Sequence, residues 1–104
     1  MSTVEQLTGQ IDLVEEDGVA VLRLSGEVDE SVVAAWDASA ETGPAQVVDL
    51  SAATFLDCRG VRLLIRQTDQ ARSEGRVPEL RRPSRLVQRM LEVAGAAPLF
   101  AAVC

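Results

Sequence analysis

The stretch FLDCRGVRLLIRQ, residues 55–67, joins the end of a short polar loop to the start of an amphipathic helical pattern. Apolar or small side chains recur at i, i+3, i+4 and i+7 spacing, at Val61, Leu64, Ile65, Thr68 and Ala71. This spacing predicts a helix with one buried face. Asp57 stands where its carboxylate can cap the first turn, and Gly75 can end the helix in the left-handed conformation. Cys58 and Arg59 lie between the cap and the apolar pattern, at the expected start of this helix.

Two apolar stretches nearer the N-terminus predict a β-hairpin. Residues 11–14 and 19–25 alternate between apolar and polar side chains, and an acidic turn with a glycine separates them. We expect the segment Gly26–Asp29 to break the second strand. Either Asp29 or Ser31 can then cap a first helix, because each carries an oxygen acceptor on a short side chain.

The rest of the chain alternates helices with short strands. The next predicted elements are a helix around Trp36 that ends at Gly43-Pro44, a strand at 46–50, a loop at 51–56 and the helix described above. They are followed by a strand at 77–80, a helix from the cap Ser84 to Gly95, and a final strand or short helix at 98–103. Pro78 indicates that the strand at 77–80 is an edge strand or begins irregularly. The order β-β-α-β-α-β-α favours an α/β fold in which helices pack on one sheet.

Length and composition predict one small domain spanning residues 1–104. Hydrophobic residues make up 47% of the chain and charged residues 25%, which is ordinary for a soluble globular protein. No apolar run approaches the ~20 residues of a membrane span. Residues 1–12 lack the basic and apolar regions of a signal peptide. We therefore expect a cytoplasmic protein without a membrane partner.

Charge is distributed unevenly along the chain. Residues 1–50 hold eleven acidic residues and one arginine, a net charge of −10, whereas residues 51–104 hold five acidic residues and nine arginines, a net charge of +4. The overall charge of −6 argues against non-specific nucleic-acid binding, which depends on Lys and Arg. The arginines of the second half can still form a local basic surface.

The residue types present argue against an enzyme. Histidine, tyrosine and lysine are absent, so the commonest general base at neutral pH is missing. A Cys58 thiolate with Arg59 as an anion binder therefore lacks the partner that nucleophilic catalysis requires. No Cys/His cluster suggests a metal site, and no glycine-rich phosphate loop suggests a nucleotide. We expect no catalytic residues, no metal and no cofactor.

Four segments together resemble the STAS domain of bacterial anti-sigma-factor antagonists. Gly26–Asp29 resembles the G-E-[LV]-D segment of that family, and Val47–Ser51 resembles its V-x-D-L-S strand. Phe55–Val61 resembles its F-[LIM]-D-S-[ST]-G-[LV] switch, and Arg82–Ser84 resembles its N-P-S helix start. The resemblance covers about residues 11–100. It implies the STAS fold, an α/β fold with a single mixed β-sheet of about four to five strands and amphipathic helices packed mainly on one face.

The resemblance also implies a function. In that family, the serine after the aspartate is phosphorylated by an ATPase-fold kinase that is also the anti-sigma factor. The unphosphorylated antagonist binds this kinase and frees the sigma factor, and phosphate breaks the complex. Cys58 stands at the serine position and Arg59 at the small residue after it, so we expect an antagonist that is not phosphorylated at residue 58. Thr54 and Ser51 are alternative phosphate acceptors in the same predicted loop.

A set of side chains around this switch is expected to contact the partner: Glu27, Asp29, Asp57, Cys58, Arg59, Gly60 and Arg62. Purely structural roles are open alternatives for several of them. Asp57 can act only as a helix cap, and Gly60 can allow the helix to approach the sheet closely. The arginine stripe Arg59, Arg62 and Arg66, and the pair Arg85 and Arg89, can be solvated helix faces or can attract an acidic partner surface.

Cys58 itself has three further interpretations. It can pack as a small hydrophobic side chain. It can be a redox sensor or a scaffold thiol, since a helix N-terminus and Arg59 favour the thiolate, while Asp57 opposes it. It can also form a disulfide with Cys104, although the sequence does not reveal the geometry that such a bond needs.

Overall fold

The computed structural model describes residues 9–39 and 42–103. The strands are β1 (Gly9–Glu16), β2 (Val19–Val28), β3 (Val47–Leu56), β4 (Glu79–Arg81) and β5 (Ala101–Val103). The helices are α1 (Glu30–Asp37), α2 (Cys58–Gln67), α3 (Asp69–Ser73) and α4 (Arg85–Val93), with a short 3-10 helix at Ala97–Leu99. The final apolar segment therefore forms both a 3-10 turn and a strand.

The five strands form one mixed sheet in chain order, β1-β2-β3-β4-β5. β1 and β2 pair antiparallel through a two-residue turn, in which Asp17 and Gly18 both have positive φ. This conformation matches the twist of a hairpin and favours an Asp-Gly sequence. The three remaining pairings are parallel, and a helix precedes each new strand. The mixed α/β fold predicted from the sequence is confirmed.

One face of the sheet carries the hydrophobic core. Alternate residues of β2, β3 and β4 point to this face, because successive side chains of a strand alternate between the two faces. They cluster with buried side chains of α1, α2 and α4, including Trp36, Leu64 and Leu91. The helices thus cover one face of the sheet, and Trp36, with 6% of its surface exposed, belongs to the core.

Strands β2 and β3 extend well beyond the segments that the sequence pattern predicts. The segment 26–29 does not break β2, which continues to Val28, and residues 51–56 are strand rather than loop. The two extensions pair with each other in parallel as far as Val28 and Leu56. Gly26 has φ 67°, and the pairing shifts register twice, so β-bulges absorb the irregular sequence without ending the strands.

The second predicted helix is divided into α2 and α3 at Thr68. The Thr68 hydroxyl is buried and donates to the Leu64 carbonyl oxygen at 2.6 Å, a bond that often bends helices. Gly75 follows α3 with φ 85°, as expected for a residue that ends a helix.

Other predicted boundaries also shift. α1 ends at Asp37, well before Gly43-Pro44, and residues 40 and 41 of the predicted helix lie outside the described residues. β4 lies between β3 and β5, so Pro78 marks an irregular start and not an edge strand. Among the residues described, no helix is both long and apolar enough to cross a membrane.

Candidate functional site

Strands β2 and β3 end together, and this places the starts of two helices side by side. Val28 and Leu56 form the last pair of the ladder. Asp29 follows Val28 and caps α1, because its Oδ1 accepts from the Val32 N–H at 3.1 Å. Asp57 follows Leu56 and caps α2 in the same way, accepting from the Gly60 N–H at 2.9 Å. The capping role predicted for Asp57 is confirmed, and of the two candidates for α1 the cap is Asp29 and not Ser31, which lies inside the helix.

The joint end of β2 and β3 extends beyond β4. β4 pairs with β3 only from Val47 to Asp49, whereas β2 pairs with β3 as far as Leu56, seven residues further on. On the other side, β1 pairs with β2 as far as Gly26. Among the described strands, residues 50–56 of β3 therefore have no neighbour on the β4 side, and the caps of α1 and α2 lie at the end of this edge.

Gly60 lets α2 begin directly against β2. A Cβ atom at this position would lie 3.0 Å from the Val28 carbonyl oxygen and 3.3 Å from Leu56 Cδ2. Both distances are tighter than ordinary van der Waals contact. The backbone approach predicted for this glycine is thus observed. Because Gly60 is buried, it supports the surface through the position of its neighbours.

Cys58 is the first residue of α2, and its exposed thiol forms no disulfide with any described residue. This exposure disagrees with the interpretation of Cys58 as a small, partly buried hydrophobic side chain. Arg62 lies one helical turn further along the same face, and Arg59 is also exposed. Cys104 lies outside the described residues, so the predicted disulfide stays a prediction.

The arginine stripe of α2 divides into two parts. Arg66 donates to Asp37 Oδ1 of α1 at 2.6 Å, so its charge is neutralised within the chain. Arg59 and Arg62 make no ion pair with any described residue. The exposed positive charge of α2 is therefore concentrated near Cys58, at the start of the helix.

The other side of the edge is acidic. Glu27 is exposed on β2, opposite Phe55 in the parallel ladder, and Asp29 follows two residues later. The edge thus carries carboxylates at the end of β2 and guanidinium groups on the first turns of α2. A partner surface that matches it needs both charge signs, which makes the orientation of binding specific.

Phe55 is an exposed part of this edge that the sequence analysis did not select. Its side chain is 37% exposed although it lies only one residue before the buried Leu56. From Leu50 to the end of β3 the buried residues are Leu50, Ala53 and Leu56, a spacing of three that a regular strand does not have. This spacing is the sequence signal for bulges that turn Phe55 outward.

The two alternative phosphate acceptors differ in their surroundings. Ser51 is exposed, but its hydroxyl donates to Asp49 Oδ1 at 2.7 Å and its N–H donates to the same oxygen at 3.0 Å. Thr54 is exposed, and its hydroxyl makes no hydrogen bond within the described part of the chain. Both residues lie on strand β3 and not on a loop.

The uncovered face of the sheet carries a row of alternating charges. Asp12, Arg23, Asp49 and Arg81 lie opposite one another on β1 to β4. Burial raises the pKa of Asp49, but the hydrogen bonds from Ser51 and the nearby charges of Arg81 and Arg23 outweigh it, so the pKa lies below its ordinary value. This row could not be read from the sequence, because the alignment of the four residues depends on the strand register.

Arg85 and Arg89 are exposed on α4, which begins after the short strand β4. Because β4 pairs with β3 no further than Asp49, α4 does not start beside the ends of β2 and β3. We therefore leave this pair out of the candidate site. Within residues 9–39 and 42–103, no three His, Cys, Asp or Glu side chains are grouped so that they could hold a metal ion.

Comparisons with known proteins agree with this architecture. The family model described as "Mlab, STAS domain" matches residues 11–100. The unphosphorylated anti-sigma factor antagonist SpoIIAA is similar in structure, with a TM-score of 0.67 and 21% identity over 90% of this chain and 88% of that chain. An anti-sigma factor antagonist from Mycobacterium paratuberculosis gives a TM-score of 0.56 and 23% identity over 90% and 84% of the two chains. A search of curated proteins found no match. The chain therefore belongs to the STAS-domain family.

Proposed function

We propose that this protein is a regulatory binding module of the anti-sigma-factor antagonist type and not an enzyme. It acts in the cytoplasm, where it binds an ATPase-fold anti-sigma factor kinase and thereby releases the sigma factor. The observation that carries this proposal is the joint end of β2 and β3. Both helix caps and the exposed Cys58 lie together at this edge of the sheet. Loop and edge residues on a rigid scaffold are a common location for binding.

The proposed contact surface consists of Glu27, Asp29, Asp57, Cys58, Arg59, Gly60 and Arg62, with Phe55 added from the structure. Phe55 is its apolar anchor, since aromatic side chains often contribute most of the energy of an interface. Arg59 and Arg62 attract acidic groups of the partner, so we expect binding to weaken as the ionic strength rises. Gly60 contributes by holding α2 against Val28.

Cys58 keeps residue 58 permanently in the unmodified form that binds the partner. A thiol is close in size to a serine hydroxyl, so the edge keeps the shape that the unmodified antagonist presents. A thiol is not a substrate for an ordinary Ser/Thr kinase, so phosphate does not break the complex at residue 58. The proposed module therefore binds its kinase without being switched off at this site.

Affinity capture from the source organism tests the proposal. The baits are the wild-type protein, Cys58→Glu as a mimic of the phosphate charge, and Cys58→Gln as a neutral control of nearly the same shape. We expect wild type and Cys58→Gln to retain an ATPase-fold kinase and Cys58→Glu to lose it, because a charge at an interface centre is costly to desolvate. The captured kinase is then purified, and sigma-factor release is measured on adding each bait.

If no bait captures such a kinase, the antagonist proposal is wrong. Equal capture by Cys58→Glu and Cys58→Gln would place residue 58 outside the contact surface. Wild type and a further bait, Cys58→Ser, test the alternative of a redox sensor, which the exposure of the Cys58 thiol favours. Under this alternative, peroxide changes the partner bound by wild type but not the partner bound by Cys58→Ser.

A further inference from the structure

We propose that Thr54 is a phosphorylation site and that it replaces residue 58 as the covalent switch of this edge. The inference rests on the proposed function, because it assigns the modification to the partner kinase. It specifies how that surface is regulated. Because residue 58 is a cysteine, the surface would otherwise lack a phosphate acceptor.

The register between β2 and β3 places Thr54 in a β-bulge. Gly26 pairs with Ala53, and the next residue, Glu27, pairs with Phe55, so Thr54 is the extra residue of a β-bulge and has no cross-strand partner. Bulges commonly redirect a side chain near a functional site. The Thr54 side chain is exposed, and its hydroxyl is unbonded within the part of the chain that the structure describes.

The segment around Thr54 is also open along one edge. β4 pairs with β3 no further than Asp49, so no described strand lies beside Thr54 on that side. Thr54 is therefore in an extended segment that can enter a kinase cleft without unwinding a helix. Ser31 is also exposed near this edge, but it lies inside α1. The Ser51 hydroxyl is already engaged by Asp49 at 2.7 Å.

Phosphate at Thr54 would oppose docking on this edge. It adds a charge of about −1.5 to −2. The new charge would stand next to the anchor Phe55, whose cross-strand partner is the acidic Glu27. Phosphate in an apolar contact or beside a carboxylate disrupts binding through desolvation and like-charge repulsion.

The transfer is an ordinary phosphoryl transfer from ATP. Thr54 Oγ1 forms a bond to the γ-phosphorus, and the bond from that phosphorus to the bridging oxygen of ADP breaks. The hydroxyl proton passes to a base of the kinase, and ADP leaves with the electron pair of the broken bond. The partner kinase and MgATP supply every co-reactant.

The test uses the purified full-length protein, the kinase captured by the wild-type bait, and MgATP. Intact mass spectrometry counts phosphates, and peptide mapping locates them. The variants are Thr54→Val, which removes the hydroxyl but keeps the branched shape, Ser51→Ala as a matched hydroxyl control, and Cys58→Ser, which restores an acceptor at residue 58. We expect one phosphate on wild type and on Ser51→Ala, none on Thr54→Val, and two on Cys58→Ser.

Each other outcome overturns the inference in a recognisable way. If wild type stays unmodified while Cys58→Ser accepts one phosphate, the kinase is active and the proposed function stands, but Thr54 is not the switch. A phosphate that maps to Ser51, or a kinase that binds yet modifies no variant, leads to the same conclusion. If no kinase is captured, the proposed function and this inference fail together.

Discussion

Arg82 occupies a backbone conformation that its side chain disfavours, and replacing it should stabilise the protein. The residue follows β4 with φ 48°, in the left-handed region. Its side chain is exposed and makes no hydrogen bond or ion pair within the described residues. The STAS motif that residues 82–84 resemble has asparagine at this position, and asparagine adopts left-handed backbone more readily than arginine.

The expected gain follows from the cost of this conformation. Left-handed backbone costs an L-residue roughly 1–2 kcal/mol, and asparagine avoids part of that cost. Since Arg82→Asn removes no contact, we expect the free energy of unfolding to rise by roughly 0.5–1 kcal/mol. For a domain of this size, 1 kcal/mol shifts the melting temperature by about 4–8 °C, so a rise of roughly 2–8 °C is expected.

Thermal unfolding followed by circular dichroism measures this change. Arg89→Asn is the matched control, because it removes the same charge from an exposed arginine inside helix α4 that forms no ion pair with a described residue. The control should lose a few tenths of a kcal/mol, roughly the difference in helix propensity. If Arg82→Asn melts at or below the temperature of wild type while Arg89→Asn behaves as expected, the strain argument is wrong.

Three further predictions concern packing, pH and surface charge. Leu50 is fully buried in β3, so Leu50→Ala should lower the free energy of unfolding in urea by about 2–5 kcal/mol, and a loss below about 1 kcal/mol would contradict the packing described. The lowered pKa of Asp49 adds stability that is present above the unfolded-state pKa and is lost as the pH falls through the folded-state pKa. The stability difference between wild type and Asp49→Asn should therefore be largest near neutral pH and should shrink in acid, and a difference that grows in acid would refute this assignment. The ion pair between Asp37 and Arg66 is half-exposed on both sides, so Asp37→Asn should change the free energy of unfolding by less than about 1 kcal/mol, and a larger loss in urea would show that the pair is part of a wider network.

The element types of this fold were largely predictable from the sequence, but several boundaries were not, among them the ends of β2 and β3. Helical spacing around Leu64 and the Asp-Gly turn identified a helix and a hairpin, because both are local properties of the chain. The extension of β2 beyond Gly26 and of β3 beyond Leu50 depends on pairing between segments far apart in the sequence. Glycine and small polar residues favour loops locally, and the parallel ladder overrides that preference.

The candidate site was predictable to a similar degree. Asp57 was identified as a cap, and Asp29 as one of two candidates beside Ser31, because a helix start has a recognisable local pattern. The exposure of Phe55 was not predicted, since it results from bulges in the register of two strands. The separation of Arg85 from the site was not predicted either, because it depends on how early the ladder between β3 and β4 ends.

The order of the strands in the sheet bears on how the chain folds during synthesis. Each strand from β1 to β4 pairs with the strand that follows it in the chain. A new strand that leaves the ribosome therefore meets an edge that is already formed, and no strand waits for a partner made much later. Pairing between sequence neighbours also limits the entropy lost in closing loops. The fold is thus suited to growing from its first hairpin, one strand at a time, while translation proceeds.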